Sequence, residues 1–347
     1  MDKITTMKDI AELAGVSAAT VSLALNNNPR ISPATKQKIL KICRETGYKP
    51  NPAARALAQV NTQGGKTYLE TLALLIHENT TPFLKSQHRQ LWNENLQTSC
   101  SLMRYRLESF IVGKTKKEQL ALSRILHTRG IRGVIIPAVF HKISDWYIDW
   151  SNFSVVSYCA DHGDRFSHNV ICNSYQDMYD AVIGLHDRGY QCPAYVETDE
   201  TLYFLKAGFD SAVQLWQKKG LCFKSLKYTT GTTLEQFEKK FMQWFYKEKP
   251  DVLISNNANK VPEILKKHGL RIPQDIGFFC SDILPSQLHI SGLLQQRDAV
   301  CRILVDTLHG MLMRHEYGQQ NRPLTIQVPT IWNEGTTLLT SKNAAPA

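Results

Sequence analysis

The stretch that decides the fold runs from Met7 to Asn26, MKDIAELAGVSAATVSLALN. Ile10, Ala11 and Ala14 fall on one face of a first short helix, and Val21, Ala24 and Leu25 recur at i, i+3 and i+4 on a second. Between them, Ala14-Gly15-Val16-Ser17 reads as a tight turn. Gly15 tolerates a positive φ, and the Ser17 hydroxyl can accept a backbone N–H two or three residues on, capping the second helix. If the two apolar faces pack on each other, Ala18, Ala19, Ser22 and Asn26 are left outward. That arrangement is a helix-turn-helix, whose second helix docks in a DNA major groove.

Working outward, a loop Asn27-Asn28-Pro29-Arg30-Ile31 leads to Ser32 and Pro33, an N-cap and first-turn pair. They open a third helix expected over Pro33 to Thr46 and stopped by Gly47. Ile39, Leu40 and Ile42 are placed to close a small core. Tyr48 to Ala58, YKPNPAARALA, reads as an extended piece running into a short Ala-rich helix, with a Gly-containing linker after it. Such a helix is too short to hold in water unaided. Residues 1–60 carry nine Lys and Arg against four Asp and Glu, so about half of the chain's net charge of +10 sits in a sixth of its length. A segment that neutralises phosphates looks like this, although basic composition alone fits any soluble protein.

In order and spacing, DIAELAGVSAATVSLALN, ISPATKQKI and GYKPNPAARALA closely resemble the lactose-repressor (LacI/GalR) family of bacterial transcription regulators. The resemblance implies backbone-phosphate contacts from Thr6, Ser17, Thr20, Asn26, Ser32, Thr35, Tyr48 and Asn51, with loop residue Arg30 also at the DNA. It implies base-facing positions at Ala18, Ala19 and Ser22, and a hinge helix at about 51–58. In that helix Leu57 wedges into the minor groove, while Ala54 and Ala58 let two hinge helices approach each other. One position departs from the pattern: where many members have an arginine after Thr-Val-Ser, this chain has Leu23. Leu23 either faces the groove, which its place beside Ser22 favours, or packs on the third helix. With so few hydrogen-bonding side chains on the reading helix, specificity is expected to lean on thymine-methyl contacts and DNA deformation.

The remaining residues, about 290, suffice for one or two α/β domains. There is no apolar run of spanning length and no signal-peptide core, so the chain is expected to be cytoplasmic. Eight scattered cysteines are expected to be reduced and mostly buried. Candidate strands are Thr71–His77, Arg106–Val112, Gly133–Ala138, Ser154–Cys159, Ala194–Glu197, Val252–Asn256 and Ile276–Ser281. Candidate helices are Phe83–Ser99, Lys116–Arg129, Gln176–Arg188, Phe204–Lys219, Leu234–Lys249 and Val261–Gly269. Strand and helix alternating in this way argue for parallel sheets covered on both faces.

The family resemblance continues more faintly here, at Gly133-Val134-Ile135-Ile136, Gly189-Tyr190, Lys206-Ala207-Gly208-Phe209, the run Pro250 to Asn257, and Ile272 to Ile276. It implies a two-lobed effector domain similar to periplasmic sugar-binding proteins, a homodimer, and chain crossings between lobes near residues 168, 292 and 323. Effector-binding positions map to Leu205, Asn256, Asp282 and Gln295. Leu205 stands where sugar-responsive members clamp hydroxyls with arginine, Asn257 where they have an aspartate, and Asn173-Ser174 where they have Asp-Asn. Losing fixed donors and acceptors is costly for a sugar site, which argues against a simple hexose or for a ligand seated differently. The plainer alternative is that Asn256 and Asp282 only cap loops.

Two other constellations carry less. Cys159, His162, His168 and Cys172 are all zinc-ligand types, but the spacing is not that of a standard finger and the cysteines sit in apolar runs, so no metal is expected. Trp146, Tyr147 and Trp150 read as packing aromatics before they read as a sugar platform. No nucleophile elbow, phosphate loop, dinucleotide turn or zinc-protease helix is present, so no catalytic residue is assigned.

The expectation is an all-α helix-turn-helix head over 1–60 and a linker over 61–68. A two-lobed α/β periplasmic-binding-protein-like effector and dimerisation domain with parallel sheets follows over 69–340, then a flexible tail over 341–347. The expected function is that of a transcriptional regulator, a repressor, which binds palindromic double-stranded operator DNA as a dimer, gated by a carbohydrate-related small molecule, with no cofactor and no membrane. The alternatives are a DNA-binding dimer whose large domain takes no effector, and a DNA-tethered enzyme.

Overall fold

The computed structural model describes residues 7–25, 31–46, 70–78, 86–137, 143–158, 166–198, 203–217, 223–228 and 232–340. The chain divides into two compact units, residues 1–69 and 70–347.

In the first unit α1 (Met7–Ala14), α2 (Ala18–Leu25) and α3 (Pro33–Glu45) enclose a core of Ile10, Ala11, Ala14, Val21, Ala24, Ile39 and Cys43. Gly15 takes φ +68, which lets the chain reverse between α1 and α2. Ile42 packs against the rim of this core as expected. Leu40 is only half-buried, and Cys43, one turn after Ile39, fills the position instead.

The second unit holds two six-stranded sheets. The first lobe has β1 (Glu70–His77), β2 (Tyr105–Val112), β3 (Gly133–Ile136), β4 (Ser154–Tyr158), β5 (His168–Cys172) and β11 (Thr325–Val328), in the order β11-β5-β4-β3-β1-β2. Every pairing is parallel. Its helices are α4 (Gln87–Leu102), α5 (Lys116–Thr128) and α10 (Arg297–Arg314). The second lobe has β6 (Pro193–Thr198), β7 (Lys224–Tyr228), β8 (Val252–Ser255), β9 (Gly277–Ile283), β10 (Gly292–Leu294) and β12 (Ile331–Asn333), in the order β12-β10-β9-β8-β6-β7. There α6 (Ser174–Asp187), α7 (Tyr203–Gln217), α8 (Leu234–Glu248) and α9 (Lys260–Lys267) cover the faces. Only the short edge pairing of β12 on β10 is antiparallel among the described strands.

Alternation along the strands explains why both faces are covered. Val252 and Ile254 of β8, with Phe279 of β9, pack under α6 and α7 beside Met178, Leu185 and Phe209. Their neighbours Leu253, Phe278 and Cys280 pack under α8 and α9 with Phe237, Phe241 and Ile264. In the first lobe Ala73 and Leu75 join Val134, Ile136, Trp146 and Trp150, so those two tryptophans are core and Tyr147 alone of the trio is exposed. The six described cysteines are free thiols, five of them buried.

The chain crosses between lobes at Asn173, at Gln295–Gln296 and at Pro329–Thr330, a few residues later each time than the sequence reading places it. Buried Asp177 ties two crossings together by accepting the Thr330 N–H at 3.2 Å on both carboxylate oxygens. Burial pushes its carboxyl up to about 6, so the ionised form is a net cost to the folded state. Because the folded value lies above the unfolded one, stability is greatest at acid pH and falls as pH rises through about 6. Asp177→Asn keeps an acceptor without the charge. We expect it to raise stability at pH 7 by about 3 kcal/mol, at roughly 1.4 kcal/mol per unit, and to leave it nearly unchanged near pH 3, below the unfolded value. Thermal unfolding at the two pH values checks this; an equal offset at both would refute it.

Candidate functional site

The head presents two helix N-termini of the same construction. At α2 the Ser17 Oγ accepts the Thr20 N–H at 3.1 Å and lies 2.9 Å from the Thr20 hydroxyl. At α3 Ser32 accepts the Thr35 N–H at 3.2 Å, with the hydroxyls 2.8 Å apart. In each pair one hydroxyl proton is used between the two oxygens and the other stays free to donate outward. A helix N-terminus carries partial positive charge, so each pair suits a phosphate oxygen. Leu23 is 37 % exposed and lies outside the core cluster, so it does not pack into the three-helix core. Thr6, Asn26, Arg30, Tyr48, Asn51, Ala54, Leu57 and Ala58 lie outside the described residues, as do the side chains of Ala18, Ala19 and Ser22.

The second constellation forms where the lobes meet. Asp282, in β9 of the second lobe, accepts a hydrogen bond from Arg297 Nη2 at 2.6 Å. Arg297 opens α10 and is 5 % exposed. His88, on the first turn of α4, places Nδ1 2.8 Å from the same Nη2 and 3.2 Å from the other Asp282 oxygen. With its proton on Nε2 the imidazole accepts from the arginine; with a proton on Nδ1 it donates to the aspartate. Two groups of the first lobe thus hold one carboxylate of the second, and the Ser86 cap at the start of α4 fixes where His88 emerges.

Beside this latch Arg89 lies 4.7 Å over the Trp92 ring, and Trp92 stacks on Tyr158 at the end of β4 with 5.4 Å between ring centroids. Burial lowers the Arg89 guanidinium to about 10. Cys301 Sγ, one turn along α10 from Arg297, donates to the Trp92 carbonyl. Two hollows, about 550 and 690 Å³, lie away from the latch: one is lined by α9 and its surroundings, the other by His168 and residues 314–324.

Of the sequence-predicted cleft residues, Asp282 is therefore the centre of an interlobe ion pair and not a simple loop cap. Asn256 and Gln295 are half-buried at the ends of β8 and β10. The capping role falls to Asn257, whose Oδ1 accepts the N–H groups of Asn259 and Lys260 at the start of α9. Leu205 lies in the first turn of α7, with its side chain outside the described set. Among the zinc-ligand types, His168 accepts the Leu324 N–H at 2.9 Å and Cys172 is buried in β5, while Cys159 and His162 lie outside the described residues. No group of three or more metal-ligating side chains comes together among the described residues.

Residues 6–51 match the family model of bacterial regulatory proteins, lacI family. The head is a lacI-family helix-turn-helix domain. The chain is 31% identical over 148 residues to the HTH-type transcriptional regulator MalR of Staphylococcus xylosus, a stretch covering 42% of this chain and 41% of that protein. It is 27% identical over 306 residues to the sucrose operon repressor of Shigella flexneri, covering 83% of this chain and 86% of the repressor. Among solved structures, the lac repressor dimer bound to operator and an anti-inducer superposes with a TM-score of 0.58 at 16% identity, over 97% of this chain and all of that one. At that identity the likeness establishes the fold alone, and the lacI-family match rests on residues 6–51.

Sequence reasoning missed His88, Arg89, Trp92, Tyr158 and Arg297. None belongs to a short motif. His88 and Arg297 lie 209 residues apart, and only the return of α10 to the first lobe brings them together.

Proposed function

We propose that this protein is a transcriptional repressor that binds two-fold-symmetric operator DNA as a dimer through its lacI-family heads. A small carbohydrate-related molecule, taken between the lobes of residues 70–340, switches it. The lacI-family head carries the reading, with its two capped N-termini at Ser17 and Ser32 and an exposed Leu23 on α2. The interlobe latch supports the second half, because a contact made across the lobes is one that a change in closure must remake. On this reading the protein works in the cytoplasm, by binding and not by catalysis. By the family's pattern Leu57 of each hinge enters the operator's centre.

Selection of binding sites from random duplex DNA with the full chain tests the first half. It should enrich an inverted repeat whose half-site centres lie about one helical turn apart, roughly 10 base pairs. Enrichment of an asymmetric site, or of none, would overturn the dimeric reading.

A further inference from the structure

Three donors beside the latch lack partners. Arg297 Nη1, Trp92 Nε1 and Arg89 Nε are all buried and have no hydrogen-bond partner among the described residues. They form one neighbourhood: Arg89 lies on Trp92, Trp92 accepts from Cys301, and both guanidinium groups are close enough to Cys301 to act on its thiol. Trp92 is 3 % exposed and Arg297 5 %, so solvent does not substitute for the acceptors those two lack, while Arg89 is half-buried with its Nε out of contact with water. Buried polar atoms in native proteins nearly always find partners, and one left unpaired forfeits its full desolvation cost. The charges are also out of balance. Two arginines share one paired carboxylate, Asp282, whose two oxygens are already engaged by Arg297 and His88, while Asp298, also near Cys301, forms an ion pair with neither arginine among the described residues. Among the described residues no carboxylate pairs with Arg89.

We infer that the ligand of this cleft is an anion: a saccharide-sized molecule carrying a carboxylate or phosphate group, held by Arg297 and Arg89. The inference rests on the effector reading above and deepens it by naming the ligand's charge. An oxyanion supplies acceptors and no donors, which matches what the site lacks, and the planar guanidinium fork is shaped for it. A neutral hexose brings donors and acceptors together and leaves the second positive charge uncompensated. The anion also reaches the latch. By engaging Arg297 Nη1 it puts a second anion on the guanidinium that Asp282 already holds through Nη2, so binding and lobe closure are coupled through one side chain.

The test is isothermal titration and thermal unfolding of the full chain with D-glucose 6-phosphate, D-gluconate, inorganic phosphate and D-glucose, each to about 10 mM, beside operator binding by fluorescence anisotropy. At least one of the three anions should bind and raise the melting temperature, weakening as salt rises, while glucose does neither. Binding of glucose 6-phosphate or phosphate alone assigns the group to phosphate, and of gluconate alone to carboxylate. Arg89→Gln should weaken binding at least about tenfold, and so should Arg297→Lys, which keeps a cation for Asp282 but not the fork. Melting curves without ligand show that each variant is folded. Glucose binding as tightly as the anions, no anion binding, or binding unchanged in both variants would overturn the inference. Anion binding that is lost in the variants yet leaves operator affinity untouched would sustain the inference and overturn the effector reading. A shift in operator affinity by glucose alone would do the reverse.

Discussion

A fragment lacking residues 1–60 is expected to remain folded and to lose sequence-specific DNA binding altogether. The larger unit owns its cores: the clusters around Phe241 and Ile254, and around Val134 and Trp150, draw only on residues beyond 70. Its melting temperature should therefore change little. The head supplies the reading helix, the capped N-termini at Ser17 and Ser32 and about half of the net positive charge, so nothing in the fragment replaces it. Loss of specific binding should amount to at least about a thousandfold, the usual margin over non-specific association. The intact protein should show log affinity falling with log salt at a slope of about −5 to −9, as for roughly 6 to 10 phosphates neutralised. Anisotropy with the selected operator measures both. Retention of sequence-specific binding by the fragment would mean that the head is not the reader.

How far the sequence discloses this structure depends on how local each determinant is. Gly15, Ser17, Ser32 and the apolar faces through Ile10, Val21 and Ile39 act within one turn or one short helix pair, and each was legible. The strands with continuous apolar runs, such as β1 and β8, were legible for the same reason. Edge strand β7, KSLKY, buries only Leu226 among its described side chains and offers no run to read. Helix α10 was missed because Ala299 to Val305 is apolar at six of seven positions, which blurs the 3.6-residue period. Gly208 stood out as a landmark, but its reason is tertiary. A Cβ there would meet the Tyr175 carbonyl oxygen of α6, so the missing side chain is what lets α7 lie against that helix. Asp282 was legible as a polar cleft position, whereas its partner was not. Arg297 reads as an ordinary charged residue until the second crossing brings it onto β9.

Asp282→Ala should be among the most destabilising single substitutions in the larger unit, and for an electrostatic reason. Arg297 is held almost wholly out of water, and Asp282 is its ion-pair partner among the described residues. Removing the carboxylate leaves a buried guanidinium with only the His88 nitrogen to receive its hydrogen bonds. Breaking a buried pair from one side costs about 3 to 5 kcal/mol, more than the intact pair itself contributes, because the remaining charge stays desolvated. Removing both partners together should cost less: Asp282→Ala combined with Arg297→Met leaves no stranded charge, so the double variant should be more stable than the single one. The same logic ties stability to the proposed ligand. In Asp282→Ala an oxyanion meets two arginines and no competing carboxylate, so inorganic phosphate should restore part of the lost melting temperature, and by a larger increment than it gives the unmodified chain. Thermal unfolding of the three proteins with and without phosphate is the measurement. A double variant less stable than Asp282→Ala would show that Arg297 is held by packing and not by the aspartate, and the latch would then not be electrostatic.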